Sequence, residues 1–372
     1  MRTTRLHPLD YDYRPLLQAM NGGGTCDNLS LNPCLPVITA KTMKWRSLSL
    51  LFVVAGKPLA WFSAINTGKE WFSLPHFNNG AYWFNHAALP SAIAQQEQAP
   101  VDAVWFFQQF IAGGDWFLQP PGEDQLWVIE MEEADFVQPE KPLKTSIELR
   151  VRHFLQLSSH SLSHKTDTRL ALQSSPDQQL LAFPASVRRK IMKALRSNFR
   201  IETGGIELLH DFYTVYRKRI HGLGSFGLPY FFFEQLLQQY QHGKIQLVVA
   251  RQGNKPVGSA VLMTFGSYAE NPWFASVAEG NKSYVSYLLH FEMMKTAIAE
   301  GCKLYSFGYS TRGSSVHKYK QQWGGSDQTI FLSGTMPVVD KLAGKQYLRS
   351  LIKHCPLLLS KALDHYIALR YY

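Results

Sequence analysis

Two stretches of the chain, roughly two hundred residues apart, carry the same run of apolar and small positions. The first is "LLFVVAGKPLAWFSA" and the second "QLVVARQGNKPVGSAV". Each reads as an apolar strand, a tight turn holding Gly and Lys-Pro, and a second strand opening with small residues, which is the pattern of a β-hairpin. The segments C-terminal to the two hairpins also run in parallel. "WFSLPHFNNGAYWF" and "PWFASVAEGNKSYV" read as third strands entering loops, "PVDAVWFFQQFIA" and "YVSYLLHFEMMKTAIAEG" as helices, and "QLWVIEME" and "KLYSFGYS" as further strands. The pattern predicts a duplicated α/β (mixed α+β) module.

The second copy is preceded by more helix. The spacing predicts helices over 185–198, over 206–220 with Leu209, Tyr213, Tyr216 and Ile220 on one stripe, and after Pro229 in "PYFFFEQLLQQYQ". Between the copies, "HFLQLSSHSLSHKTD" is polar and Ser-rich and reads as a crossing loop. Its His153, His160 and His164 lack Cys or carboxylates at ligand spacing, so no metal is expected. Helices, a strand meander, a long helix and another strand form the element order of the GNAT acyltransferase fold. The expected organisation is an N-terminal GNAT-like module over 1–150, a C-terminal acyltransferase module over 151–345, a cleft shared by the two, and an amphipathic helical tail over 346–372.

Composition fits folded domains: 45% of residues are hydrophobic and 13% aromatic in a chain of 372. Four scattered cysteines without a C-x-x-C pair suggest reduced thiols and a cytoplasmic location. The N-terminus shows no apolar signal region, and the most apolar run is broken by Gly56, Lys57 and Pro58, so no membrane span is expected. Charge changes the picture more. Residues 1–140 hold 8 Lys and Arg against 14 Asp and Glu, a balance of −6, while the remaining 30 basic and 14 acidic residues give +16. The second half is therefore the one expected to meet anions. In "VRRKIMKALRSNFR" a helix would place Val187, Ile191 and Leu195 on one face and Arg189, Lys193, Arg196 and Arg200 on another. That basic face is either an ordinary solvated surface or, with Arg188, Arg189, Lys193 and Arg196, the border of a site for an anionic donor.

The least ordinary segment is "LYSFGYSTRGSSVHKYKQQWGG", Leu304 to Gly325. Gly308, Ser310 and Gly313 are one residue too widely spaced for the G-x-S-x-G elbow of serine hydrolases, and the Gly-Lys-Ser/Thr ending of a P-loop is missing. Taken with "FPASVRRKIMKA", "LHDFYTVYRKRIHGLGS", the second hairpin and the long helix, it resembles FemAB-like proteins associated with exosortase/PEP-CTERM and exopolysaccharide systems. These are GNAT-related relatives of the peptidoglycan-bridge aminoacyltransferases. "FSLPHFNNGAYW" looks like the same family's serine-proline-phenylalanine-glycine segment. The resemblance runs from about residue 45 to the end of the chain. It departs from the family at two points: Ser306 and Tyr309 stand where the family pattern has aspartate and arginine, whereas Lys320, Trp323 and Gly324 keep the pattern.

The resemblance implies transfer of an acyl or aminoacyl group to an amine or hydroxyl of a cell-envelope glycan or its lipid-linked precursor, by direct attack on an activated carbonyl. It places Lys320 at the lysine that polarises that carbonyl, a role an oxyanion demands of some fixed cation or amide. Ser310, Arg312, Tyr309, Tyr319, Trp323 and Gly324, with Asn79 and Gly80 of the first copy, are the expected substrate contacts. His317, the nearby imidazole, shows no partner and is not expected to carry a proton. Acetyl-CoA enzymes of the GNAT class cradle pyrophosphate in a glycine-rich loop at the start of the long helix. Here that position reads "EGNKSYVSYLL", with Gly280 and no second glycine in step. An aminoacyl-tRNA or an acyl thioester on an acidic carrier protein is therefore expected as donor in place of free CoA. Peripheral contact with the inner membrane face is a further expectation. The alternatives are a non-catalytic binding or assembly factor in exopolysaccharide production, and an acetyl-CoA-dependent N-acetyltransferase.

Overall fold

The structure is a computed structural model that describes residues 1–22, 28–68, 70–77, 79–94, 101–118, 123–137, 148–337 and 352–355. Contacts divide the chain into two compact units. One holds residues 1–165 and 329–337, the other residues 166–328 and 352–355. The chain thus changes unit after Lys165, some fifteen residues beyond the boundary read from sequence, and re-enters the first unit at Thr329. Nearly all of the amphipathic tail over 346–372 lies outside the described residues.

In the first unit, β1 (Arg2–Leu6), α1 (Arg14–Gly22) and α2 (Cys34–Met43) lead into the hairpin β2 (Arg46–Val54) and β3 (Lys57–Asn66). Then come β4 (Trp71–Ser73), β5 (Ala81–Phe84), α3 (Ser91–Ala94) and α4 (Ala103–Phe106), which continues into a π-helical turn over Phe107–Ala112. β6 (Gln125–Met131), α5 (Glu133–Val137) and β7 (Leu149–His153) come next, and β8 (Ser161–Ala171) begins here. The strand order is β1-β6-β2-β3-β4-β7, with β7 also pairing to the last strand, β14 (Ser326–Gly334). Alternation along β2 and β3 sends Leu48, Leu50, Phe52, Ala60, Phe62 and Ala64 to one face, where they pack with Phe106, Phe107 and Phe110.

In the second unit, α6 (Pro176–Ala182), α7 (Ala185–Leu195), β9 (Phe199–Gly204), α8 (Leu209–Gly222) and α9 (Tyr230–Gln239) precede the hairpin β10 (Gly243–Gln252) and β11 (Lys255–Phe265). β12 (Tyr268–Ser276), α10 (Ala278–Asn281), α11 (Val285–Ala299), β13 (Leu304–Thr311) and α12 (Ser315–Gln321) complete it. The order is β8-β13-β12-β11-β10-β9. α11 is largely buried, with Glu292 and Lys295 pairing on its partly exposed side, and Gly258 lets it approach the sheet: a Cβ there would lie 2.7 Å from Leu289.

The duplication is visible in the pairing register. Both hairpins turn through left-handed residues, Ala55 and Gly56 in one and Gly253 in the other. Each slips register one step before the Lys-Pro pair, between Phe52 and Val53 and between Ala250 and Arg251. Pro58 and Pro256 sit at these bulges, where a strand tolerates a residue with no N–H. Each unit also contains one three-residue parallel pairing: Trp71–Ser73 with Leu149–Val151, and Tyr268–Glu270 with Leu304–Ser306.

The pairing departs from the sequence expectation in the first unit. "QLWVIEME" is a strand, but β6 lies parallel to β2, and the counterpart of β13 in the first unit is β7. Order and apolarity reveal that a strand exists, whereas its place in the sheet depends on hydrogen-bond register. The Ser-rich stretch is not one long loop, since His153 ends β7 and Ser161–Ala171 is strand, with His164 inside it. The helix expected over 185–198 ends at Leu195, because Ser197 and Asn198 turn the chain into β9.

Candidate active site

The second unit's parallel pair opens into a fork. β12 and β13 are paired over Tyr268–Glu270 and Leu304–Ser306, the pairing ending at Glu270 and Ser306. One residue further on, Asn271 and Pro272 form a bulge against β11, and the Asn271 amide fixes it by donating to the carbonyls of Val261 (2.7 Å) and Trp273 (3.0 Å). Beyond this point β13 runs on with its β12 side unpaired. Gly308 there has φ 73°, a conformation glycine adopts without a Cβ clash.

Into this stretch reaches Lys320 from α12. The helix is started by Ser314, whose hydroxyl accepts the His317 N–H at 3.2 Å. Lys320 is 7% exposed, and its Nζ donates to the carbonyls of Gly308 (2.5 Å) and Tyr309 (3.0 Å). Burial pushes its ammonium down to about 8, opposed by Asp167 first and then by Glu270 and Asp327. At neutral pH the side chain is therefore mainly charged.

Around it lies a buried polar group that sequence reasoning missed. Asp167 and Arg169 of β8 are both buried, with Arg169 Nε donating to Asp167 Oδ2 at 2.7 Å. The other Asp167 oxygen accepts from Ser306 Oγ at 2.5 Å, and Ser306 accepts the Gly308 N–H at 2.9 Å. An Asp–Arg pair thus stands against Ser306, supplied by the neighbouring strand. Glu270 accepts from the Tyr268 hydroxyl at 2.9 Å; burial, reinforced by Asp167, pushes its carboxyl up to about 8. On the other side, the His290 ring stacks on Phe274 (centroids 4.6 Å apart), and its Nδ1 lies 2.9 Å from the Tyr305 hydroxyl. Burial, with Lys320 adding, lowers His290 to about 3, so the imidazole is neutral.

The other expected residues fall in several places. Ser310 is 6% exposed, and its hydroxyl has no hydrogen-bond partner. The imidazole of His317 is committed elsewhere: Nδ1 accepts the Gly313 N–H at 2.9 Å and Nε2 lies 2.8 Å from Asp327. His317 therefore has the partner that sequence did not reveal, and it clamps the loop between β13 and α12. Tyr309 is half-buried and Arg312 exposed at the mouth of this loop. Trp323, 1% exposed, packs in the core against Phe183, Tyr287, His290 and Phe307, and Tyr319 touches Tyr287 and His290 at its edge. Gly324, at φ 81°, reverses the chain after α12.

Along α7, Arg189, Lys193 and Arg196 are exposed, whereas Arg188 donates to the carbonyls of Leu181 (2.7 Å) and Phe183 (2.9 Å) and so braces the preceding turn. Lys190, absent from the expected set, joins α7 to α11 and α12 through Tyr287 and Gln322, both at 2.9 Å. Lys193 lies 5.2 Å over the Tyr284 ring at the head of α11. There the chain is wound into α10, so the amides of Asn281, Lys282, Ser283 and Tyr284 are already bonded to the carbonyls of Val277, Ala278, Gly280 and Asn281.

In the first unit, Asn79 is fully buried, and neither atom of its amide group has a partner. The Gly80 N–H bonds the Arg152 carbonyl at 2.5 Å. The preceding loop holds Leu74 and His76 at positive φ, a strain that non-glycine residues seldom carry. Among the described residues no group of three His, Cys, Asp or Glu is placed to hold a metal. No described helix is long and apolar enough to cross a membrane.

Comparison with known proteins bears on the fold. No curated protein matches the chain significantly. Among solved structures, that of FemX aligns over 95% of this chain and 100% of its own, at 12% identity and a TM-score of 0.56. The structure of L-PGS from Bacillus licheniformis aligns over 92% of this chain and 98% of its own (11% identity, TM-score 0.47). A tandem GNAT protein from the clavulanic acid biosynthesis pathway aligns over 91% and 99% (10% identity, TM-score 0.46). Residues 183–321, from the start of α7 to the end of α12, match the profile of the GNAT acetyltransferase domain, so the unit that holds the fork and Lys320 carries a GNAT domain within a fold shared with FemX.

Proposed function

We propose that the protein is an acyltransferase that passes an acyl or aminoacyl group directly from an activated donor to an amine or hydroxyl of a cell-envelope glycan or its lipid-linked precursor. The observation that carries this reading is the buried, charged Lys320 at the open side of the β12–β13 fork. As the donor carbonyl is attacked, negative charge grows on its oxygen. A pre-positioned ammonium in a dry site meets that charge without reorganising. Ser310 has no imidazole partner among the described residues, and we infer that transfer proceeds without an acyl intermediate on it.

The state of the α11 head supports a donor other than free acetyl-CoA. A pyrophosphate cradle needs unpaired amides, and α10 has used four of them. The exposed cations of α7 beside Tyr284 suit a larger anionic donor, an aminoacyl-tRNA or a thioester on an acidic carrier protein. The setting we infer is the cytoplasmic side of the envelope, with peripheral membrane contact, in exosortase-linked exopolysaccharide assembly. A second reading, an acetyl-CoA-dependent enzyme, draws on the GNAT profile match alone.

The test is mass spectrometry of envelope glycans from a deletion strain, complemented with wild type or with Lys320→Ala. Loss of one acyl or aminoacyl substituent, restored by wild type only, supports the proposal. Glycans unchanged by deletion would leave a non-catalytic binding factor as the better account. A marked rise in melting temperature with acetyl-CoA would move the assignment to the second reading.

A further inference from the structure

Lys320 is the only buried lysine among the described residues, and its hydrogen-bond acceptors are two uncharged carbonyls. An ammonium taken out of water requires a counter-charge, or it gives up its proton. The titratable groups that act on it come from four elements: Asp167 on β8, paired with Arg169; Glu270 on β12, bonded to Tyr268; His290 on α11, bonded to Tyr305; and Asp327 at the start of β14. Most of these are disqualified. His290 is neutral, and Glu270 holds its own proton at neutral pH. Asp327 is 29% exposed and already occupied by Thr168, His317 and Gln321. Asp167 remains, with no exposed surface, gripped on one oxygen by Arg169 and on the other by Ser306. Ser306 and Lys320 meet at the backbone of one residue, Ser306 Oγ accepting the Gly308 N–H and Lys320 Nζ donating to the Gly308 carbonyl.

We propose that Asp167 is the positioning residue of this site: acting through Ser306 and the backbone of Gly308, it fixes the Lys320 ammonium at the fork and keeps it protonated. Its bearing on turnover rests on the function proposed above, but the coupling between the two side chains is measurable without any substrate. Removing the carboxylate leaves the lysine buried with less to oppose desolvation, so its ammonium deprotonates at lower pH.

The test is NMR of the full-length protein labelled with 15N-lysine, following the Lys320 ammonium from about pH 6 to about pH 10, the range over which a buried lysine titrates. The signal is assigned by its absence in Lys320→Arg. The wild-type midpoint is expected near 8. Asp167→Asn should lower it by about one pH unit or more, Ser306→Ala by less in the same direction, and Asp327→Asn least of all. Moving the carboxylate across, with Asp167→Ser and Ser306→Asp together, should restore most of the shift. An unchanged midpoint in both Asp167→Asn and Ser306→Ala, or a larger shift from Asp327→Asn, overturns the proposal. Should Asp167→Asn fail to fold, Ser306→Ala and the exchanged pair decide it. If the titrations behave as expected while Lys320→Ala leaves envelope glycans unaltered, the coupling stands and the transferase function falls.

Discussion

The two units share a three-residue parallel pairing and put different chemistry at the vertex where it ends. In the first, the last residues of the parallel pairing are Ser73 and Val151; in the second they are Glu270 and Ser306. Ser73 spends its hydroxyl on the backbone, donating to the Ser63 carbonyl and accepting the Ala81 N–H. The nearest buried charge there, Arg150, is closed off in ion pairs with Glu70 and Glu148. The second vertex instead gathers Asp167, Arg169, Glu270 and Lys320. A similar backbone thus serves as scaffold in one copy and as a charged site in the other, through Glu270 at the paired position and through Asp167, Arg169 and Lys320 brought in from β8 and α12.

The sharpest way to expose that difference is pH. Glu270 is raised from an ordinary carboxyl value to about 8, so the folded state holds a proton that the unfolded state has released. Stability contributed this way is complete below the unfolded value and is lost as pH rises towards 8. Glu270→Gln removes the penalty. Its melting temperature relative to wild type should climb between about pH 5 and about pH 8, by an amount equivalent to a few kcal/mol. A constant difference across that range would show that burial does not hold a proton on Glu270 at the second vertex. His290 acts in the opposite direction and lower in the scale: its depressed value makes the native state lose stability as pH falls below the usual histidine range.

The first unit should respond to shape rather than charge. A Cβ at Gly80 would stand 2.6 Å from Ser73 Oγ and 2.8 Å from the Arg152 carbonyl oxygen, the second of which belongs to the backbone and cannot yield easily. Gly80→Ala should destabilise by about 1–3 kcal/mol, with no dependence on pH between about 5 and about 8. Chemical denaturation at the two pH values checks this.

Two smaller effects sharpen the reading of the second unit. Reversing Arg189 and Lys193 to Glu should weaken donor binding severalfold at low salt and hardly at all at high salt, measured by titration with aminoacyl-tRNA and with acyl carrier protein. Equal binding at low salt would make α7 an ordinary solvated face. Ser310→Ala should reduce transfer by the worth of one hydrogen bond, about 0.5–1.5 kcal/mol.

Much of this is legible in the sequence. The hairpins, the long helix and the basic helix follow from periodicity and turn residues, and the doubled Lys-Pro turn betrays the repeat because proline in a strand needs a bulge. Lys320 stands out through the family resemblance. What stays hidden depends on register. Asp167 and Arg169 lie in a Ser- and His-rich stretch that looks like loop, and only the pairing of β8 with β13 brings them to Ser306. Glu270, His290 and Asp327 lie far apart in sequence; burial sets the values of the first two, whereas at Asp327 burial is outweighed by hydrogen bonds from Thr168, His317 and Gln321, which lower it. A polar residue alternating with apolar ones in an otherwise buried strand, as in "YAENPWF", is the one local signal that could flag Glu270.

Single-turnover transfer by Lys320→Ala, with acceptor affinity measured alongside, tests the central claim most directly. An interaction made chiefly in the transition state appears in the rate and not in ground-state binding. The account predicts a rate lowered by about a hundredfold to a thousandfold with acceptor affinity within about twofold of wild type. A rate near wild type, or a loss confined to affinity, would contradict it and leave Lys320 as a brace for the end of β13.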